Sequence, residues 1–248
     1  MILPIANILQ PLIDVAEAVL TFFHDDVGFG WGAAIVALTF VTRLAILPLS
    51  IKQIRSMRAL QAYAPQIKEI QEKYKDDRQR QQREMMAFYQ ENKINPLASC
   101  IPLILQIPVF LSLFYLLRSD TFQADVYASP PEGWLFIPDL TEKATGADLV
   151  ILIVLFVGTQ LASGLVMMAT ADRNQRLLMF GLPLIITPFI INFPAGLVVY
   201  WISTNVWTVG QQYVVKRVAP PPEKPTPEEV KATKPPPPPP RKRKRRRR

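Results

Sequence analysis

The stretch Thr39-Phe-Val-Thr-Arg43-Leu-Ala-Ile-Leu-Pro48-Leu sets one arginine in the middle of apolar sequence. It lies inside a run from about Val27 to Ile51. At about 1.5 Å rise per residue, that run is long enough to cross a bilayer as a helix. A central arginine costs roughly 2.5–3.5 kcal/mol on insertion scales, so an intramembrane arginine marks a functional site by default. Snorkelling is the alternative. Arg43 sits roughly 12 Å from the inferred cytoplasmic end of its span, and a long side chain recovers several ångströms of that. Thr39 lies one turn away on the same helix face, which favours a polar groove.

Working outward, half of the 248 residues are hydrophobic and the formal net charge is +8. That is too much unbroken apolar sequence for an ordinary soluble domain. The single cysteine, Cys100, excludes an intramolecular disulfide and reads as a small buried hydrophobe. The single histidine, His24, excludes a site with two histidine ligands, so neither a metal centre nor a cofactor is expected. There is no P-loop, no G-x-S-x-G, no dinucleotide fingerprint and no nucleophile with a base inside a span. The chain does not read as an enzyme.

The expected fold is an all-α polytopic membrane protein. Residues 1–26 contain Asp14 and Glu17 and lack a basic leader, so they suit neither a signal peptide nor a spanning helix. Leu12, Val15, Val19 and Phe22 with Phe23 give one apolar face, which predicts an amphipathic helix along the outer interface; a hydrophobic leader to the first span is the alternative. The first span, 27–51, should kink near Pro48. Residues 52–93 are charged and read as a helical hairpin with apolar points at Leu60, Ile67, Ile70 and Tyr74. Asp76-Asp77 supplies its turn and N-cap, and a helix from about Arg78 to Glu91 follows, carrying Met85, Met86, Phe88 and Tyr89. Its apolar stripe could pack internally, lie on lipid or receive a partner.

The second span, about 96–117, carries Pro96, Pro102 and Pro108, so bending is expected. Residues 118–147 read as a polar external loop, with Trp134 and Phe136 as headgroup anchors. The third span, about 149–171, offers Gln160 among the small residues Gly158, Ala162, Ser163 and Gly164. Residues 172–176 read as a polar turn. A short fourth span, 177–192, contains Pro183 and Pro188, and Phe193-Pro194-Ala195-Gly196 makes a tight reversal into the fifth, 197–215. Residues 217–248 form a proline-rich tail expected to be disordered, ending in the basic block Arg241, Lys242, Arg243, Lys244, Arg245, Arg246, Arg247 and Arg248.

Charge gives orientation. Residues 1–27 hold no Lys or Arg and 118–147 hold two, whereas 52–93 hold ten and residues 216–248 thirteen. The basic side is expected to be cytoplasmic, which puts the N-terminus outside and the C-terminus inside. A cytosol-wetted groove around Arg43 would draw an acidic, hydrophilic segment part-way into the membrane, because charge attracts more strongly in reduced dielectric. Thr39, Gln160, Trp201 and Asn205 could supply the rest of that groove, or could simply make interhelical hydrogen bonds. A small transporter using Arg43 as an anion site is the alternative reading, although no internal repeat supports it. A membrane anchor presenting an RNA-binding tail is a third.

The order of motifs resembles a known family. T-F-V-T-R-L-A-I-L-P-L-S-I-K-Q (39–53) is followed by E-M-M-A-F-Y (84–89). Then come K-I-N-P-L-A-S-C-I-P-L-I-L-Q-I-P-V-F-L-S-L-F-Y (93–115) and F-P-A-G-L-V-V-Y-W-I-S-T-N (193–205). Together these resemble the YidC/Oxa/Alb membrane protein insertases, over about residues 1–216. The resemblance implies a five-helix core with a cytoplasmic hairpin. It also implies a groove open to cytosol and lipid and closed on the outside. Arg43 matches the groove arginine thought to receive acidic client tails, with Thr39, Gln160 and Trp201 at or near groove positions. The partners implied are nascent membrane proteins, the Sec translocon, and the signal recognition particle or its receptor through the hairpin. The setting implied is the bacterial cytoplasmic membrane. Departures are the long periplasmic domain and extra first span of many Gram-negative members, and the lipobox cysteine of many Gram-positive ones, none of which these residues show. The basic tail resembles those of ribosome-binding members, and such a block would find rRNA by counterion release or anionic lipid by surface attraction.

Overall fold

A computed structural model describes residues 3–92, 101–129, 133–167 and 173–218. Among the described residues, ten α-helices and one π-helical turn carry the chain and there is no β-strand. These residues fall into two compact units, one of residues 3–54 and 101–218 and one of residues 55–92.

In the first unit, α1 (Leu3–Thr21) has three faces. Leu9, Ile13, Ala16 and Leu20 pack into the core. Leu12, Val15 and Phe22, most of the stripe expected to be the helix's one apolar face, point outward and stay exposed, together with Ile8. Gln10 and Asp14, joined by a 2.8 Å hydrogen bond, edge the third face beside Glu17. At 100° per residue, two apolar stripes lie side by side, and periodicity alone does not say which of them meets protein. A π-helical turn, Phe22–Asp26, ends this segment. Gly28, at φ +80°, then reverses the chain in a conformation that other residues rarely adopt. The His24 ring stacks on the buried Trp31 at 3.9 Å.

α2 (Trp31–Ala45) and α3 (Leu47–Ala62) break at Ile46, where the axes bend by 62°. The break falls in the turn before Pro48. A proline ring clashes with the carbonyl four residues earlier and offers no N–H, so the helix gives way between Leu44 and Pro48. The N–H of Ile46 turns back to the Thr42 and Leu44 carbonyls instead.

α6 (Ile101–Leu117) follows. The stretch expected to be a polar loop contains a helix, α7 (Asp120–Ala128), N-capped by the Ser119 hydroxyl, which accepts from the Phe122 N–H at 3.3 Å. Phe122 and Val126 anchor α7 in the core; two inward residues one turn apart suffice for so short a helix. Trp134, expected as a headgroup anchor, is partly buried: it packs on the core and lies over Gly32, where any side chain would collide with it. Leu135 stands exposed at φ +56°, at the tip of a turn closed by paired hydrogen bonds between Trp134 and Ile137.

α8 (Gly146–Met167), α9 (Arg173–Ile190) and α10 (Ala195–Val218) complete the unit. α9 begins inside the stretch 172–176 expected to be a turn. α10 is the spine. Its first residues, Ala195 to Tyr200, are buried, and it packs chiefly against α8 and α2. The N–H groups of Ala195 and Gly196, which have no partner within their own helix, donate to the Glu142 and Leu140 carbonyls at 2.8 Å each.

Among the described residues, α8 alone is long and apolar enough to cross a bilayer by itself. Trp31–Ala45 with Leu47–Ile54 makes a second, bent candidate, and Ile104–Leu117 is apolar but shorter. The count of five spans therefore does not follow from length and composition of the described residues.

The second unit holds α4 (Ala64–Lys73) and α5 (Arg78–Glu91). Asp77 caps α5, accepting from the Arg80 N–H at 3.0 Å. Ile70, Tyr74 and Phe88 are buried together, ringed by Tyr63, Ile67, Met85 and Tyr89. Lys73 and Arg80 lie over the Tyr74 ring at 5.3 and 5.0 Å. The Gln81 amide donates to the Gln71 carbonyl at 2.7 Å, tying the two helices. Cys100, residues 96–100 and 168–171 of the expected second and third spans, and the tail from 219 lie outside the described residues.

Candidate functional site

α6, α8, α9 and α10 enclose a cavity of about 250 Å³. Gln106, Ile107 and Phe110 come from α6, Phe156 and Gln160 from α8, Pro183 and Ile186 from α9, and Tyr200, Trp201 and Thr204 from α10. The spacing is helical: Gln106 and Phe110, Phe156 and Gln160, and Tyr200 and Thr204 are each one turn apart and so share a face. The aromatic wall is braced edge-to-face, with Trp201 5.1 Å from both Phe110 and Phe156. Such pairs fix ring orientation and add about 0.5–1.5 kcal/mol each beyond area burial.

Arg43 reaches this cavity through a relay. Its Nη2 donates to Gln106 Oε1 at 3.0 Å, and Gln106 Nε2 donates to the Tyr200 hydroxyl at 2.8 Å. One amide thus connects α2, α6 and α10. Among the described residues no carboxylate pairs with Arg43, and its Nε is buried without a partner. Gln160 Oε1 and Thr204 Oγ1 are likewise buried and unpartnered. Buried polar atoms normally find partners, so two orphans on residues lining one cavity, with a third on the arginine bonded to its wall, stand out.

Of the five groove residues expected from sequence, Gln160 and Trp201 line the cavity and Arg43 joins it through Gln106. Thr39 and Asn205 are not among the lining residues. Thr39 is fully buried, and its hydroxyl bonds the Ile35 carbonyl of its own helix at 3.0 Å, the usual way for a mid-helix threonine to satisfy itself. Asn205 instead donates to Thr159 Oγ1 at 3.4 Å, a link between α10 and α8. Sequence reasoning missed Gln106, Tyr200 and Thr204 as site residues. The available signal was Gln106 itself, the one amide in α6, set between Pro102 and Pro108. The basic block Arg241–Arg248 lies outside the described residues. Among the described residues, no group of three or more His, Cys, Asp or Glu side chains could hold a metal ion. What the cavity offers is hydrogen-bond donors and acceptors beside a cation, framed by aromatic rings.

Comparison with known proteins agrees with this architecture. A membrane protein insertase YidC of Streptomyces avermitilis is 37% identical over 230 residues, covering 80% of this chain and 54% of that protein. The Pseudomonas paraeruginosa YidC is 38% identical over 198 residues, covering 80% of this chain and 33% of its own length. The chain thus spans about half, or less, of these relatives. Among solved structures, an active YidC insertase crystal structure with its first transmembrane domain resolved superposes with a TM-score of 0.65 at 22% identity, over 84% of this chain and 46% of the other. That likeness shows the fold. The sequence model of the 60Kd inner membrane protein family matches residues 22–222, and this chain therefore belongs to that family, the YidC/Oxa/Alb family its motifs resemble.

Proposed function

We infer that this protein inserts membrane proteins. It takes hydrophilic segments of nascent clients into a polar groove from the cytosolic side and lets their helices leave sideways into lipid. The supporting observation is the arginine tied to a largely apolar cavity that carries a few polar groups. Arg43 is a cation in otherwise apolar helix, tied through Gln106 to Tyr200 at the cavity wall. No nearby carboxylate among the described residues neutralises it. In this role Arg43 attracts an acidic client tail, Gln160 and Trp201 line its path, and Thr39 and Asn205 brace the helices around it. The chain crosses the bacterial cytoplasmic membrane five times, N-terminus outside and C-terminus inside, with α1 along the outer interface and the α4–α5 pair in the cytoplasm. It acts alone or beside the Sec translocon. The tail block Arg241–Arg248 contacts the ribosome, and the hairpin receives the signal recognition particle or its receptor.

The test uses purified protein in liposomes and a single-span client with an acidic N-terminal tail, scored by protease protection. Protection above empty liposomes that drops with Arg43→Ala supports insertion and charge attraction together. Protein-dependent protection that is indifferent to Arg43→Ala keeps insertion and makes the arginine structural. No protection with any of several clients, together with counterflow of a small anion, would replace this reading with the transporter.

A further inference from the structure

The unpartnered atoms of the cavity, as they stand, ask for a ligand that both donates and accepts hydrogen bonds. Thr204 is 94% buried, being 6% exposed, and its Oγ1 has no partner; it can donate once and accept. Gln160 Oε1, also orphaned, can only accept. The Tyr200 hydroxyl accepts from Gln106, which leaves its own proton to donate. All three residues line the same cavity, Tyr200 and Thr204 one turn apart on α10 and Gln160 on α8. The spare set is therefore at least one acceptor, one donor and one group that does either, and these three side chains carry no formal charge.

A carboxylate only accepts. In the orientation Gln160 holds here, a carboxylate would satisfy Tyr200 and Thr204 but leave the Gln160 oxygen without a donor. The Gln160 NH2 would serve it only if the amide turned over. A peptide unit presents one N–H and one C=O, held a fixed short distance apart by the planar amide. Such a unit answers the whole set. The need is physical as well, since a chain entering the bilayer's depth without finished secondary structure carries unsatisfied backbone groups that cost several kcal/mol each. About 250 Å³ holds roughly eight waters at about 30 Å³ each, enough for a short piece of main chain in exchange for them.

We propose that the cavity between α6, α8, α9 and α10 binds the peptide backbone of a client segment through Tyr200, Gln160 and Thr204, independently of any client charge, while Arg43 adds attraction for acidic tails. This rests on the insertase reading. It predicts that tails without acidic residues are also accepted, and that what the site requires of them is a backbone N–H.

The experiment uses the full chain in liposomes and synthetic single-span clients bearing one of three tails: acidic; neutral, with Asp and Glu replaced by Asn and Gln; and neutral with alternate backbone amides replaced by esters. An ester keeps the shape, removes the donor and weakens the neighbouring carbonyl as an acceptor. Protein-dependent protection of the ester tail should fall about tenfold below that of the all-amide neutral tail, the scale of a buried hydrogen bond left unmade. Thr204→Val and Gln160→Leu should shrink that amide-to-ester ratio toward one, and Thr204→Ser should restore it. A ratio near one in the unmodified protein, or a ratio unmoved by both substitutions, overturns the proposal while the insertase reading stands. Absence of protein-dependent protection with every tail, the acidic one included, sinks the insertase reading and this inference with it.

Discussion

Two hydrogen bonds of the first unit differ in charge, and their loss should differ accordingly. Gln106→Leu removes the acceptor of a guanidinium, and hydrogen bonds to charged groups contribute about 1.5–3 kcal/mol, so a loss of about 2 kcal/mol is expected. Asn205→Ala removes a long neutral contact between helices, where membrane proteins average about 0.6 kcal/mol. Unfolding titrations in mixed micelles would measure both, and the reverse order would mean that the relay from Arg43 to Tyr200 carries no stability. Gly32→Ala should be costlier than its size suggests, because the added methyl collides with Trp134; overpacking of about 1–3 kcal/mol is expected, with a shift in tryptophan emission. Arg43 was legible in the sequence because a charge in an apolar run has few explanations. Gln106 and Tyr200 were not, because an amide or a phenol in such a run fits any neighbouring helix. For Thr39 the sequence shows the face shared with Arg43 but not that its hydroxyl bonds its own helix.

At the level of elements, α1 carries an exposed apolar stripe beside the one that packs on protein. Bimane attached at Val15→Cys should be quenched by nitroxide lipids, and at Asp14→Cys by aqueous iodide, since Val15 is exposed on the apolar face and Asp14 lies on the polar one. Equal quenching of both sites by iodide would remove α1 from the interface. The bend between α2 and α3 belongs to Pro48 through its clash with the preceding turn. Pro48→Ala should therefore straighten the pair, seen as a longer distance between spin labels at Ala37 and Lys52. An unchanged distance would assign the bend to packing. The existence of these helices could be read from periodicity and proline placement. Their facing could not: α1 has two apolar stripes, and α7 hides in a polar stretch because only Phe122 and Val126 point inward.

For the molecule as a whole, the α4–α5 pair has a core of its own, but a small one, Ile70, Tyr74 and Phe88. Removing a buried phenylalanine costs about 3–5 kcal/mol, more than three side chains can spare, so Phe88→Ala should raise hydrogen exchange throughout residues 64–91. Unchanged protection there would mean that this cluster does not hold the pair. Orientation can be checked by cysteine labelling in intact cells: Glu142→Cys should react with an impermeant maleimide and Glu84→Cys should not. The charge asymmetry behind that expectation was legible at a glance, because basic residues can simply be counted by segment. The way loop residues join the bundle was not, since it depends on main-chain bonds that no side chain announces. Those bonds also impose an order in time. The Leu140 and Glu142 carbonyls that receive the first N–H groups of α10 are synthesised about 50 residues earlier, roughly 3–10 s ahead at about 5–20 residues per second. α10 is thus the last of the described helices to be synthesised, and a chain stalled before Ala195 leaves the Leu140 and Glu142 carbonyls without these two partners.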